Sequence, residues 1–149
     1  MKICLVCSSG GHFFELNCLN SAWEGQESFW VTFNNSDTQR ILDDKKWYAA
    51  YFPTNRNILN LIRNLWLAQR ILQTEKPQVI ISTGAGVCLP FFLLAKFKGI
   101  KTIYIESMAR IHSLSLTGRL IYPLADEFIV QWPELETVYK KAVFKGQVL

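Results

Sequence analysis

Short apolar runs that read as strands alternate with segments of helical character along the whole chain, and that alternation limits the possible folds more than any other feature. Ile3–Cys7 is a continuous apolar run, followed by Ser8-Ser9-Gly10-Gly11-His12 and a helical stretch from Phe13 to about Trp23. Ser28–Phe33 is rich in strand formers and ends in the turn-prone Asn34-Asn35-Ser36. A short polar helix near Thr38–Asp43 then leads to a third strand, Trp47–Phe52. Pro53 and Thr54 stop that strand, and Asn57 is placed to cap a long helix reaching about Thr74. Pro77 opens a fourth strand, Val79–Ser82, which runs into Thr83-Gly84-Ala85-Gly86 and a helix from about Val87 to Phe97 closed by Gly99. Lys101–Ile105 and Glu127–Gln131 complete the strand pattern, with a helix near Leu116–Leu124 between them. After Trp132-Pro133 come a short helix and a terminal Ala142–Leu149 segment. Strands separated by helices imply βαβ units, hence an α/β fold with a Rossmann-like parallel sheet and helices on both faces. The 149 residues contain no repeat, low-complexity stretch or linker, so one domain spanning 1–149 is expected.

Composition narrows the chemistry. Half of the residues are hydrophobic and 19% are charged, which argues for a packed chain rather than a disordered one. The net charge of +4 favours anionic partners mildly. No run of five or six basic residues occurs, so nucleic acid is not expected as a partner. The C-x-x-C at Cys4 and Cys7 lies inside a strand, where residues three apart point to opposite faces and cannot share a zinc ion. No metal site and no cofactor are expected. The apolar stretch at the amino end is too short for a signal peptide, and the longest apolar run, Val87–Ala95, is too short to span a bilayer.

Ligands of open α/β sheets bind beyond the carboxyl ends of the strands, at the point where strand order reverses. The residues there are Ser8–His12 after strand one, Asn34-Asn35 after strand two, Thr83–Gly86 after strand four, and Glu106-Ser107 after strand five. In the common 3-2-1-4-5 order, strands one and four are neighbours. Two glycine-rich loops would then flank one crevice, with Ser9, Gly10, Gly11, Thr83, Gly84 and Gly86 as its candidate lining. Glycines allow close backbone approach and helix N-termini attract anions, so a diphosphate suits the crevice; the same glycines would also serve a tight corner alone. Neither G-x-G-x-x-G nor a Walker G-x-x-x-x-G-K-[ST] is present, which disfavours a dinucleotide dehydrogenase and a P-loop enzyme.

His12 falls at a helix start, where a neutral imidazole can act as general base; contact with a phosphate or acceptor, or a purely structural cap, are the other readings. Glu106 ends a strand at the same edge, where a carboxylate can orient the histidine, bind sugar hydroxyls, or simply be a solvated loop residue. Arg110 and His112 share a polar loop and are a phosphate contact or plain surface. In the long helix, Ile58, Leu61, Leu65, Ala68 and Leu72 form a stripe that can face the sheet. Leu67 and Ile71 then lie opposite, beside Asn60 and Asn64, with Trp66 at the border. A helix apolar on two faces needs a second partner, either protein or lipid, unless both faces are packed in the core. Cys88–Lys98 combines aromatics with lysines, as a membrane-surface element would.

Five segments in register resemble a known family across essentially the whole chain. They are Ser8-Ser-Gly-Gly-His12, Ser82-Thr-Gly-Ala-Gly86 with Pro90, Ile105-Glu-Ser-Met-Ala-Arg110, Ser115-Leu-Thr-Gly118 through Tyr122-Pro-Leu-Ala-Asp126, and Gln131-Trp-Pro133. The sequence resembles the acceptor-side subunit of the two-subunit N-acetylglucosaminyltransferase of dolichol-linked oligosaccharide assembly. It resembles more closely the bacterial counterparts of capsule and exopolysaccharide synthesis. The same loops are similar to the N-terminal domain of the single-chain enzyme that glycosylates the peptidoglycan lipid precursor. The resemblance implies the N-terminal half of a GT-B glycosyltransferase, with the nucleotide-sugar domain on a separate donor-binding subunit. It implies inverting transfer to a polyprenyl-diphosphate-linked sugar, with His12 and Glu106 catalytic. Ser9, Gly10, Gly11, Thr83, Gly84, Gly86 and Arg110 would hold the acceptor and its diphosphate. The eukaryotic subunit's N-terminal anchor has no match here, so attachment at the cytoplasmic face of the cell membrane is expected to be peripheral, to the membrane surface or through the partner. The first loop is also poorer in glycines than in the single-chain enzyme. Two other classes stand beside this one: a non-catalytic recruiting or activating subunit, and a stand-alone small-molecule binding domain.

Overall fold

The computed structural model describes residues 1–149. Seven strands form a single sheet: β1 (Lys2–Cys7), β2 (Glu27–Phe33), β3 (Trp47–Ala50), β4 (Val79–Gly84), β5 (Lys101–Ile105), β6 (Glu127–Val130) and β7 (Ala142–Phe144). Their order is β3-β2-β1-β4-β5-β6-β7, and every neighbouring pair is parallel. The helices are α1 (Gly11–Cys18), α2 (Ser36–Ile41), α3 (Ile58–Glu75), α4 (Cys88–Lys98), α5 (Leu116–Ile121) and α6 (Pro133–Val138). The fold is therefore the Rossmann-like α/β arrangement expected, with β1 beside β4 at the reversal of strand order.

Period-two alternation divides the strand side chains between two cores. Cys4, Val6, Phe29, Val31, Ile80, Tyr104 and Phe128 pack with α3, α4, α5 and α6 on one face. Ile3, Leu5, Cys7 and Trp30 pack with Phe13, Leu16, Trp23 and Leu42 on the other. Cys4 and Cys7 thus lie on opposite faces, both buried and unbridged.

Several expected boundaries shift. The first helix stops at Cys18, and a single 3-10 turn, Asn20–Trp23, covers the rest of the expected stretch. α5 ends at Ile121 rather than about Leu124. The terminal segment supplies a seventh parallel strand on β6. β3 ends at Ala50 instead of Phe52 because Asn64 takes over the backbone of Tyr51, its Oδ1 accepting from the Tyr51 N–H and its Nδ2 donating to the Tyr51 carbonyl, both at 2.9 Å.

Those same bonds shift the expected orientation of α3, keeping Ala68 and Leu72 of the expected stripe inward but turning Ile58 and Leu61 out. Asn60, Asn64, Leu67, Ala68, Ile71, Leu72 and Glu75 face inward, while Ile58 and Leu61 are exposed. Asn60 adds a bond from its Nδ2 to the Pro53 carbonyl at 2.9 Å. The expected N-cap holds, with the Asn57 side chain accepting from the Asn60 N–H. Gly99 closes α4 at φ 66, a conformation that suits glycine. In α4 the aromatics Phe91 and Phe92 are fully buried, leaving Leu93, Phe97 and the lysines outside.

Candidate functional site

The carboxyl ends of β1 and β4 carry two loops that the sheet brings side by side, with Cys7 paired to Gly84. In the first, Gly10 takes φ 79, a conformation other residues rarely adopt, so that the chain can turn directly into α1. A Cβ built on Gly10 or Gly11 meets nothing within 4 Å, so this loop is open above. In the second, Gly84 and Ala85 are both left-handed, at φ 125 and 71. For Ala85, backbone of this kind costs on the order of 1–3 kcal/mol, and such strain clusters at ligand sites. Gly86 packs under Thr54, whose Cβ would lie 3.3 Å from a side chain there. Thr83 ties the loops together: its hydroxyl donates to the His12 carbonyl at 2.6 Å.

His12 opens α1 and leans over the second loop. A Cβ on Gly84 would stand 2.9 Å from His12 Cε1, 3.2 Å from Nδ1 and 3.1 Å from the Tyr104 hydroxyl, so only glycine leaves room for the ring. His12 Nδ1 is buried and makes no hydrogen bond, whereas Nε2 keeps contact with solvent. The loops that carry Ser9, Gly10, Gly11 and His12 and Thr83, Gly84 and Gly86 are therefore neighbours at the carboxyl ends of β1 and β4.

Glu106 is fully buried, so it is not a solvated loop carboxylate. It accepts from the Ser107 N–H at 3.1 Å, the Ser115 N–H at 3.0 Å and the Ser115 hydroxyl at 3.0 Å. A side chain on Gly118 would come within 2.0 Å of its Oε2, so α5 is seated directly on the carboxylate. Glu106 thus organises the 106–118 loop from beneath. Arg110 and His112 ride on that loop, both exposed and without an ion pair.

Three buried polar residues escape a linear reading. Glu15 accepts from the Ser107 hydroxyl at 3.0 Å and from Gln131 Nε2 at 3.3 Å, linking α1 to the loop after β5. Gln131 also donates to the Glu106 carbonyl at 3.1 Å. Tyr104 is buried with its hydroxyl unpaired. Glu15 stands three residues beyond His12, on the same side of α1, and that spacing was the available signal. Tyr104, in the middle of an apolar strand, gave none.

No group of three or more His, Cys, Asp or Glu side chains is placed to hold a metal ion. Burial pushes the Cys4 thiol well up and the Cys88 thiol up to about 12, so both stay protonated. A cavity of about 480 Å³ walled by Lys96, Gly99, Lys101 and Asp126 lies at the amino end of β5, away from the loops. No helix is long and apolar enough to cross a membrane.

Residues 46–148 match the family described as "Oligosaccharide biosynthesis protein Alg14 like". A Candida albicans protein, "UDP-N-acetylglucosamine transferase subunit ALG14", is 43% identical over 97% of this chain and 77% of its own length. The human protein of that name is 27% identical over the whole of this chain and 83% of its own. Among solved structures, MurG from Acinetobacter baumannii superposes with a TM-score of 0.73 and 17% identity, over 90% of this chain and 43% of that one. At that identity the likeness shows the fold alone, and this chain spans less than half of that protein.

Proposed function

This chain belongs to the Alg14-like family of oligosaccharide biosynthesis proteins, and on that premise we propose that it is the acceptor-side subunit of a split, inverting glycosyltransferase. The observation that carries the reading is the pair of linked glycine loops, one with open space at Gly10 and Gly11, and the His12 ring packed against Gly84 of the other. The names of the relatives make UDP-N-acetylglucosamine the donor to propose. The acceptor is a polyprenyl-diphosphate-linked saccharide, and the setting is oligosaccharide biosynthesis, as the family's description indicates, rather than the capsule or exopolysaccharide synthesis expected from the sequence.

His12 Nε2 takes the proton of the acceptor hydroxyl as its oxygen attacks the anomeric carbon. The new glycosidic bond forms while the bond to the nucleoside diphosphate breaks, and that diphosphate leaves with the electron pair, so one displacement inverts the centre. The open backbone at Ser9, Gly10 and Gly11, with the N-terminal end of α1, attracts the acceptor diphosphate. Thr83, Gly84 and Gly86 shape the opposite wall, and Arg110 supplies a cation at the rim. Glu106 enters as the buried support of the loop that carries Arg110.

The donor domain is assigned to a separate subunit. Ile81, Ile103, Ile129 and Val143 share one sheet face by register, yet that face is packed by helix mainly over β1 and β4; Val143 remains 43% exposed. Such a partly bare apolar face supports a protein partner. Peripheral attachment to an anionic membrane surface is supported by the amino half of α3, where Ile58 and Trp66 are 74% and 73% exposed. Between Lys45 and Thr74 the chain has five basic residues and no acidic one, and the exposed Arg56 and Arg63 are among them.

The test is sugar transfer to a synthetic polyprenyl-diphosphate saccharide by this chain co-expressed with its donor-binding subunit. Loss of a general base predicts a fall in kcat of roughly 10²–10⁴-fold in His12→Ala. Full turnover by the donor-binding subunit alone would leave this chain the role of recruiter or activator and overturn the reading.

A further inference from the structure

Two buried polar atoms near Gly84 have no partner, His12 Nδ1 and the Tyr104 hydroxyl. Both lie within 3.2 Å of the point a Cβ on Gly84 would occupy, so they converge on one spot from two different elements. An unsatisfied buried polar atom is costly, and two converging on a glycine in a candidate site point to one shared function.

Tyr104 is held rigidly for such a function. Its ring stacks on Phe128 at 4.9 Å and meets Phe92 edge-on at 6.0 Å. Burial holds its phenol protonated far above neutral pH, so it keeps a hydrogen to donate. Glu106 and Ser115 lie against the hydroxyl without a well-formed hydrogen bond to it. The two oxygens of a carboxylate offer about four acceptor positions. Three donors reach Glu106, the N–H groups of Ser107 and Ser115 and the Ser115 hydroxyl, which lies 3.0 Å from both oxygens, so the carboxylate can still accept from a fourth.

We propose that Tyr104 is the positioning residue of His12: its hydroxyl accepts from Nδ1–H and donates its own hydrogen to Glu106, fixing the tautomer that leaves Nε2 free to take a proton. This rests on the reading of His12 as the base. It also gives Glu106 the orienting role expected of it, one residue removed. No proton is transferred along the chain; the buried carboxylate group holds the dipoles in line. The other acid near the ring, Glu15 on the same helix, is engaged by Ser107 and Gln131. The Cys7 thiol beneath is pushed up by burial and stays neutral.

The experiment is 15N NMR of the imidazole in the full-length chain at neutral pH. His112→Gln removes the only other histidine, so the remaining signals belong to His12. The expected spectrum shows a protonated Nδ1 and an unprotonated Nε2. In Tyr104→Phe, which keeps the stacked ring, the proton moves to Nε2. A wild-type ring protonated at Nε2, or the same tautomer in both proteins, overturns the proposal. In the assembled transferase, Tyr104→Phe should lower kcat about tenfold with KM unchanged, a fraction of the loss on removing the base itself; unchanged kcat also overturns it. Normal turnover in His12→Ala would instead sink the base reading, and the tautomer measurement would still decide whether Tyr104 holds the ring.

Discussion

Gly84 concentrates the residue-scale constraints on the crevice. It needs φ 125, and any side chain there would collide with His12 and approach Tyr104. Gly84→Ala should therefore cost about 2 kcal/mol through left-handed strain and displaced neighbours. Gly11→Ala, with open space and an ordinary helical position, should change stability by no more than about 0.5 kcal/mol. Urea midpoints of the two variants would separate them, and equal midpoints would refute the packing account. A second residue acts away from the site. Burial of the Glu75 carboxylate would raise its pKa, but Lys2, Lys46 and Tyr48 outweigh that and hold it near 2 against an ordinary 4.5. Lys2 and Lys46 both pair with it at 2.7 Å. A depressed folded-state pKa contributes stability that is present above about pH 4.5 and is lost as pH falls toward 2. Acid unfolding followed by circular dichroism should show that limb, and Glu75→Gln should flatten it while lowering stability at pH 7. The glycines, His12 and Glu106 were all legible in the sequence, because turn chemistry and strand ends mark them. Tyr104 and Glu15 were not, because their importance lies in what other elements bring to them.

At the scale of elements, α3 shows where an amphipathic reading goes astray. Counting only apolar residues selects the stripe from Ile58 to Leu72, but the helix instead turns Asn60 and Asn64 toward the end of β3. The amide of Asn64 mimics a neighbouring strand for Tyr51, and so satisfies backbone groups that an edge strand would leave bare. Asn64→Leu should cost about 1–3 kcal/mol despite its added apolar surface, because two backbone groups lose their partners. A thermal or urea transition matching wild type would show that solvent replaces the amide. The strand and helix boundaries otherwise lie close to the positions that alternation and capping residues indicate, as at Asn57 and Gly99.

For the whole molecule, the uneven covering of the sheet matters most. One face carries four helices, while the other is packed chiefly over β1 and β4, leaving the Ile103–Ile129–Val143 side half bare. Val143→Glu should leave the melting temperature within about 2 °C, since the side chain is 43% exposed, and should sharply weaken co-purification with the donor-binding subunit. Co-purification at the wild-type level would place the interface elsewhere.

Local sequence pattern was enough for the class of the fold, the succession of elements and the candidate loops at the strand ends. Each of those follows from local periodicity, turn residues and the rule that open parallel sheets bind at their carboxyl ends. Packing in three dimensions set which face of α3 turns inward, that Glu106 is buried under α5, and that His12 and Tyr104 meet over Gly84. Those outcomes depend on which distant backbone and side-chain groups satisfy one another. Strand order and packing set that pairing, and no window of neighbouring residues contains it.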